Sequence, residues 1–177
     1  MIALDIDGVV ANTSPLLIEE AAKIGYNLVF DRYHPSNSEN YLSPIVDKIL
    51  TLRMAEIAPY PDAIEFMDII NKNLGPITFL TARNVKYAES TRIWLNLNFS
   101  FSFSLACYAS KDKVKFFKEN ITRAFVEDRL STANMVAESG LVQVYLINRN
   151  WNINRYTHPG VRRINNLGEF YYSECKP

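Results

Sequence analysis

Apolar residues recur along this chain in two rhythms, short unbroken runs and longer stretches at helical spacing, and their alternation predicts a sheet interleaved with helices. Ile2-Ala3-Leu4 is a run of the kind that fills a central parallel strand. Ser14-Pro15 reads as a cap with proline at the first helical position. Leu16, Leu17, Ile18, Ala21, Ala22 and Ile24 then predict a helix that Gly25 ends. Residues 26–42 are polar and punctuated by Pro35, Ser36, Asn37 and Ser38, the composition of a loop. Ser43-Pro44 repeats the cap signature, and Ile45, Val46, Ile49, Leu50, Leu52, Met54 and Ile57 predict a second helix reaching Ala58. A crossover to a parallel neighbour needs roughly a dozen residues or a little more, so two apolar helices are more than a connection. Residues 13–60 are expected to form a small helical cap, and residues 1–12 and 61–177 the core.

Pro61 opens a third helix, apolar at Ile64, Phe66, Met67, Ile69 and Ile70 and stopped by Leu74-Gly75-Pro76. Ile77-Thr78-Phe79-Leu80 is a buried strand, followed by a helix from Val85 to Leu97. Phe99, Phe101, Phe103 and Leu105 alternate with small residues, which predicts a strand with one apolar face. Ser110 caps a helix running to Asn120, Ala124-Phe125-Val126 is a further strand, and Ser131 to Ser139 a further helix. Gln143 to Ile147 is the last predicted strand. The tail from Asn148 reads as loop, with a short final helix from Asn166 and Glu169 closing its capping box. This order predicts an α/β fold, a doubly wound, Rossmann-like parallel sheet flanked by helices.

Composition narrows the function classes. The 177 residues, 48% of them apolar, suit one domain with a real core. Nineteen basic and nineteen acidic side chains cancel, so neither a nucleic-acid polymer nor an anionic membrane is an expected partner. No apolar run reaches the roughly 18 residues of a membrane span. Cys107 and Cys175 lie far apart and no signal sequence precedes the first strand, so a reduced cytoplasm is expected. The oligomeric state, a dimer included, is left open.

Chemistry enters where acids interrupt the apolar runs. Asp5 and Asp7 stand two apart, directly before Gly8, and strand geometry would place both on one face. Two crowded carboxylates are tolerable if a cation offsets them or one holds a proton. That suits phosphoryl chemistry: one carboxylate attacks phosphorus, the other trades a proton with the leaving oxygen, and Mg²⁺ neutralises the phosphate. A calcium loop fits less well, because Gly8 comes too early and Leu16 stands where a closing Glu belongs. A plain turn accounts for Asp7 and Gly8 but not for Asp5 inside an apolar run. Thr81 and Ala82, at a strand's carboxyl end just before a helix, offer a hydroxyl and backbone amides to a phosphate. Glu127-Asp128 breaks another apolar run, and acids at two neighbouring strand ends would converge on one cation. Arg83 and Arg129 are read as surface or helix-end ion pairs, His34 as a solvated loop histidine, and Trp151 as packing the tail.

Four polar stations therefore occur in order: Asp5-x-Asp7, Thr81, Lys113 and Glu127-Asp128. In this the chain, from residue 1 to about 150, resembles the haloacid dehalogenase-like (HAD) superfamily of phosphohydrolases. Asp5 to Asn12, Phe79-Leu80-Thr81-Ala82-Arg83, Phe125 to Arg129 and Tyr145 to Asn152 look like its 5'(3')-deoxyribonucleotidase branch and bacterial relatives. The resemblance implies Asp5 as nucleophile and Mg²⁺ ligand, and Asp7 as general acid and base, lending the metal its backbone carbonyl. It implies Asp128 as the third protein ligand, and Thr81 and Lys113 as holding the phosphoryl oxygens. Lys111 is the alternative lysine. Lys113 is preferred at the first turn of its helix, fourteen residues before Glu127. Ala82 and Glu127 depart from the branch's usual forms. The implied activity is a Mg²⁺-dependent phosphomonoesterase acting on a small nucleotide through an aspartyl-phosphate. The alternatives are a sugar- or polyol-phosphate phosphatase, a phosphomutase, or a phosphate-binding module without turnover.

Overall fold

A computed structural model describes residues 1–29 and 42–175. His34 and most of the polar loop before Ser43 fall outside these residues. Six parallel strands form the central sheet: β1 (Ile2–Leu4), β4 (Ile77–Thr81), β5 (Phe103–Cys107), β6 (Ala124–Glu127), β7 (Gln143–Ile147) and β8 (Val161–Ile164). Their spatial order is β5-β4-β1-β6-β7-β8, with β1 paired in parallel to β4 on one side and β6 on the other. Strand order reverses at β1, so a crevice opens beyond its carboxyl end, where ligands gather in doubly wound sheets.

Period-two alternation explains why both faces are covered. Ile2, Leu4, Phe79, Val126 and Tyr145 share one apolar cluster. Their chain neighbours Ala3, Leu80, Phe125, Val144 and Leu146 share the other. The first face packs α3 (Pro61–Leu74), α4 (Ala88–Asn98) and α7 (Leu167–Cys175); the second packs α5 (Lys113–Glu119) and α6 (Leu130–Glu138). Asn166 caps α7 as expected: its side chain accepts from Glu169 N–H, and Glu169 accepts from Asn165 N–H.

The helices between β1 and β4 are α1 (Ser14–Lys23) and α2 (Leu42–Leu52). They hang from a two-residue antiparallel ribbon, β2 (Ala11–Asn12) with β3 (Ala58–Pro59), so the chain leaves and rejoins the core at adjacent points. Arg53 locks this insertion internally by bridging Glu19, Glu20 and Glu56.

Three expectations need correction. The second helix stops at Leu52, short of Ala58, and a 3₁₀ turn over Met54–Glu56 takes its place. The aromatic strand begins at Phe103, because the rings of Phe99 and Phe101 pack with Phe79, Trp94 and Phe103 instead of pairing in the sheet. The tail contains β8, which two mid-strand arginines, Arg162 and Arg163, conceal at a sheet edge.

Trp94 on α4 anchors the exit of the insertion. Its buried Nε1–H donates to the carbonyl of Ile57 at 2.9 Å. Trp94→Phe keeps the aromatic packing and leaves that buried carbonyl unsatisfied, so the unfolding free energy should fall by about 1–3 kcal/mol. Urea denaturation checks this; unchanged stability would show that the bond does not anchor the insertion.

Candidate active site

β1 delivers the first acid and a turn delivers the second. The strand ends at Leu4, Asp5 follows with its N–H donating to Val126 O at 2.9 Å, and the chain then bends instead of continuing with period two. The Ile6 carbonyl accepts from the N–H groups of Val9, Val10 and Ala11, and this tight turn brings Asp7 round to the cavity that Asp5 faces. Gly8 is required twice over. Its φ is +78°, and a Cβ there would lie 2.1 Å from Asp128 Oδ2.

The remaining stations arrive from neighbouring strands and helices. Thr81 closes β4, and its buried hydroxyl accepts from Arg83 N–H at 3.2 Å, while Ala82 beside it faces the cavity. Of the two lysines, Lys111 is exposed and Lys113 is buried. Lys113 Nζ sits 3.1 Å from Asp5 Oδ1 and 2.8 Å from Glu127 Oε2. Both Glu127 oxygens are engaged: Oε2 takes Lys113, and Oε1 accepts the N–H groups of Asp128 and Arg129. Its place is to hold the lysine and shape the strand end.

The loop after β7, read from sequence as packing, reaches into this centre. Trp151 Nε1–H donates to Asp128 Oδ2 at 2.9 Å, and Asn152, fully buried, donates to the Asp128 carbonyl at 2.7 Å. Arg149 donates to the Gly8 carbonyl at 2.7 Å and lies over the Tyr60 ring at 3.9 Å. Arg83 is also not at the surface. Only 2% of its side chain is exposed, and it grips both Asp7 oxygens at 2.8 and 2.7 Å. Arg129 bonds the hydroxyls of Ser110 and Ser131 beside the cavity.

Crowding shows in the acidities. Burial, then the nearby Glu127 charge, push Asp5 up to about 7 against the opposing pull of Lys113. Asp128 is likewise raised to about 7, by burial first and then by Asp5. Burial alone would lower Lys113, but Asp5 and Glu127 together raise it, so the lysine stays charged.

Oxygens of Asp5, Glu127 and Asp128 lie within 4.8 Å of one another, a set of hard donors suited to a small divalent cation. With Glu127 spent on Lys113 and backbone amides, Asp5 and Asp128 are the side chains that would hold it. The crevice that Asp5 and Asp7 line encloses about 140 Å³. Its floor is acidic, and Leu17, Val46, Ile49 and Leu50 of the insertion form an apolar wall opposite.

The raised acidities have a consequence for stability without metal. A carboxyl that titrates near 7 in the fold and near 3.8 unfolded adds stability while protonated, and that stability is lost as pH rises through 7. In chelator, Tm should therefore fall between pH 5.5 and 8 by a few degrees, the shift that about 1 kcal/mol makes in a chain of this size. Asp128→Asn should flatten that slope, and Mg²⁺ should raise Tm most at pH 8. A metal-free Tm that rises toward pH 8, or an Asp128→Asn slope equal to wild type, would contradict this electrostatic account.

No family model and no curated protein sequence matches the chain. Solved structures match it in fold. D,D-heptose 1,7-bisphosphate phosphatase of Burkholderia thailandensis is 12% identical with a TM-score of 0.61, over 99% of this chain and 98% of that one. A HAD hydrolase of family IA, variant 3, from Entamoeba histolytica is 15% identical with a TM-score of 0.62, over 98% and 96%. CbbY of Rhodobacter sphaeroides, solved in complex with phosphate, is 13% identical with a TM-score of 0.61, over 96% and 95%. At such identities the likeness is one of architecture: this chain shares the parallel α/β fold of these three proteins, one of them a HAD hydrolase.

Proposed function

We propose that this protein is a Mg²⁺-dependent phosphomonoesterase that works through an aspartyl-phosphate on Asp5 and acts on nucleoside monophosphates in the cytoplasm. The observation that carries the reaction is Lys113, buried between Asp5 and Glu127 at a crevice that Asp7 also lines. A cation so placed screens the nucleophile from its acidic neighbours and draws an anionic phosphoryl group toward it.

The steps follow from the placed groups. An Asp5 oxygen attacks phosphorus, the bond from phosphorus to the leaving oxygen breaks, and a proton from the Asp7 carboxyl passes to that oxygen, releasing the alcohol. Water then attacks the phosphorus of the aspartyl-phosphate and gives its proton to Asp7. The bond to Asp5 breaks, and inorganic phosphate leaves. Thr81 and Lys113 hold the phosphoryl oxygens through both steps. Asp5, Asp128 and the Asp7 carbonyl would hold Mg²⁺, which when bound would neutralise charge on the phosphoryl group.

The substrate class rests on the motif resemblance and on the wall. Residues 13–60 act in this reading as a cap, and Leu17, Val46, Ile49 and Leu50 offer an apolar surface that suits a base and gives a polyol's hydroxyls no partner. A sugar-phosphate phosphatase is the second reading, favoured by the heptose bisphosphate phosphatase among the fold neighbours. No helix among the described residues is long and apolar enough to cross a membrane, and Cys107 and Cys175 are both free thiols.

Hydrolysis of an aryl phosphate should vanish in excess chelator and return with Mg²⁺. Asp5→Asn should lower kcat by at least about a thousandfold, roughly 4 kcal/mol of barrier, while inorganic phosphate still binds. Steady-state assays with and without chelator check both; near-wild-type rates in Asp5→Asn would exclude it as nucleophile.

On substrate, 5'- or 3'-monophosphates of deoxyribonucleosides should exceed glucose 6-phosphate and glycerol phosphate in kcat/KM by at least about tenfold, or about 1.4 kcal/mol. A panel with sugar phosphates ahead of every nucleotide would favour the second reading. A panel with no turnover in Mg²⁺ would leave a phosphate-binding module.

A further inference from the structure

Arg83 was expected as a surface or helix-end ion pair; it does pair with an acid, but it is buried where three parts of the molecule meet. Its Nε and Nη2 take the two Asp7 oxygens. Its Nη1 donates to Thr91 Oγ1 on α4 at 3.2 Å and to the sulfur of Met54 in the insertion at 3.3 Å. Thr91 and Met54 are buried themselves, so the guanidinium is held from behind while its fork faces the crevice. A planar two-pronged grip fixes the plane and direction of a carboxylate in a way that a single ammonium cannot. Asp7 needs such a grip, because it stands on a turn with 26% of its side chain exposed.

We infer that Arg83 is a positioning residue that sets the direction of the Asp7 carboxylate and ties it, through Met54, to the seat of the helical insertion. The inference rests on the phosphomonoesterase reading above, in which Asp7 passes a proton to the leaving oxygen. Proton transfer demands placement within hydrogen-bond reach of that oxygen, so a carboxylate free to swing loses most on esters whose leaving group needs the proton most. The thioether is the weakest acceptor of the set. A shift of the insertion would therefore disturb the Met54 contact before the two bonds to Asp7, and the fork would turn with it.

The test is a series of aryl phosphates whose phenols span a range of acidity, read as kcat/KM, which reports the steps through loss of the phenol. In Arg83→Lys the charge remains and the fork is lost. The slope of log kcat/KM against leaving-group pKa should steepen, with the poorest leaving group losing at least about tenfold more than the best. Inhibition by inorganic phosphate should stay within about twofold of wild type, since the phosphate seat at Thr81 and Lys113 is untouched. Thr91→Val and Met54→Leu, which leave both Asp7 bonds in place, should steepen the slope less, and they carry the test if Arg83→Lys does not fold. A fall of equal factor across the series in Arg83→Lys, or in Thr91→Val if that variant must stand in, would reduce Arg83 to a packing residue and overturn the inference while leaving the phosphomonoesterase reading intact. Failure of the wild-type protein to hydrolyse any of the esters would overturn that reading and this inference with it.

Discussion

Lys113 is buried among carboxylates, and much of the molecule's polar interior exists to make that tolerable. An ammonium taken out of water loses solvation worth several kcal/mol, and it stays charged here because Asp5 and Glu127 lie within 3.1 and 2.8 Å. The acids in turn exceed the cation. Asp5 and Asp128 both rise toward 7, first because they are buried and then because carboxylates crowd them. The protein's own groups do not relieve such a surplus; a bound divalent cation would. The groups around the centre therefore hold its members apart at fixed distances: Glu127 by accepting two backbone amides, and Asp128 by receiving Trp151 and Asn152.

The sheet makes this concentration of charge possible. Because β4 and β6 flank β1, the ends of three consecutive parallel strands open on one crevice, and each contributes one station from sequence-distant segments. Backbone groups there have left the ladder, so polar side chains at the carboxyl ends find partners. Gly8 shows how tightly the space is used, since its missing Cβ is filled by the Asp128 carboxylate.

What could be read from sequence follows from how local each signal is. Asp5 and Asp128 announce themselves by breaking apolar runs, an anomaly visible within five residues. Lys113 could be told from Lys111 by its place at the start of a helix, and the structure puts Lys113 against the acids and Lys111 in solvent. Arg83 carried no such mark, because its partner Asp7 is 76 residues away and nothing near it in the chain is acidic. Trp151 was equally opaque, 23 residues beyond Asp128 in a segment that reads as loop. β2 and β3 are two residues each and leave no pattern to detect, while β8 hides behind Arg162 and Arg163. Tertiary pairing, which no periodicity encodes, accounts for each of these omissions.

The insertion is built differently from the core. Internally it is tied by charge, with Arg53 spanning Glu19, Glu20 and Glu56, and Lys48 joining Glu20. Among the described residues, its side-chain hydrogen bonds and ion pairs to the sheet and its helices are few and specific. Asp47 meets Lys86 and Tyr87, the Ile57 carbonyl meets Trp94, and Met54 meets Arg83. The insertion's apolar residues, Ile45, Ile49, Leu50 and Met54 among them, belong to the same buried cluster as the first face of the sheet. The Asp47 pairing is exposed and salt-sensitive, whereas the Trp94 and Arg83 bonds are buried beside the ribbon. Leu17, Val46, Ile49 and Leu50 line the crevice from the insertion, and Arg83 is a polar link between that insertion, at Met54, and the Asp7 carboxylate.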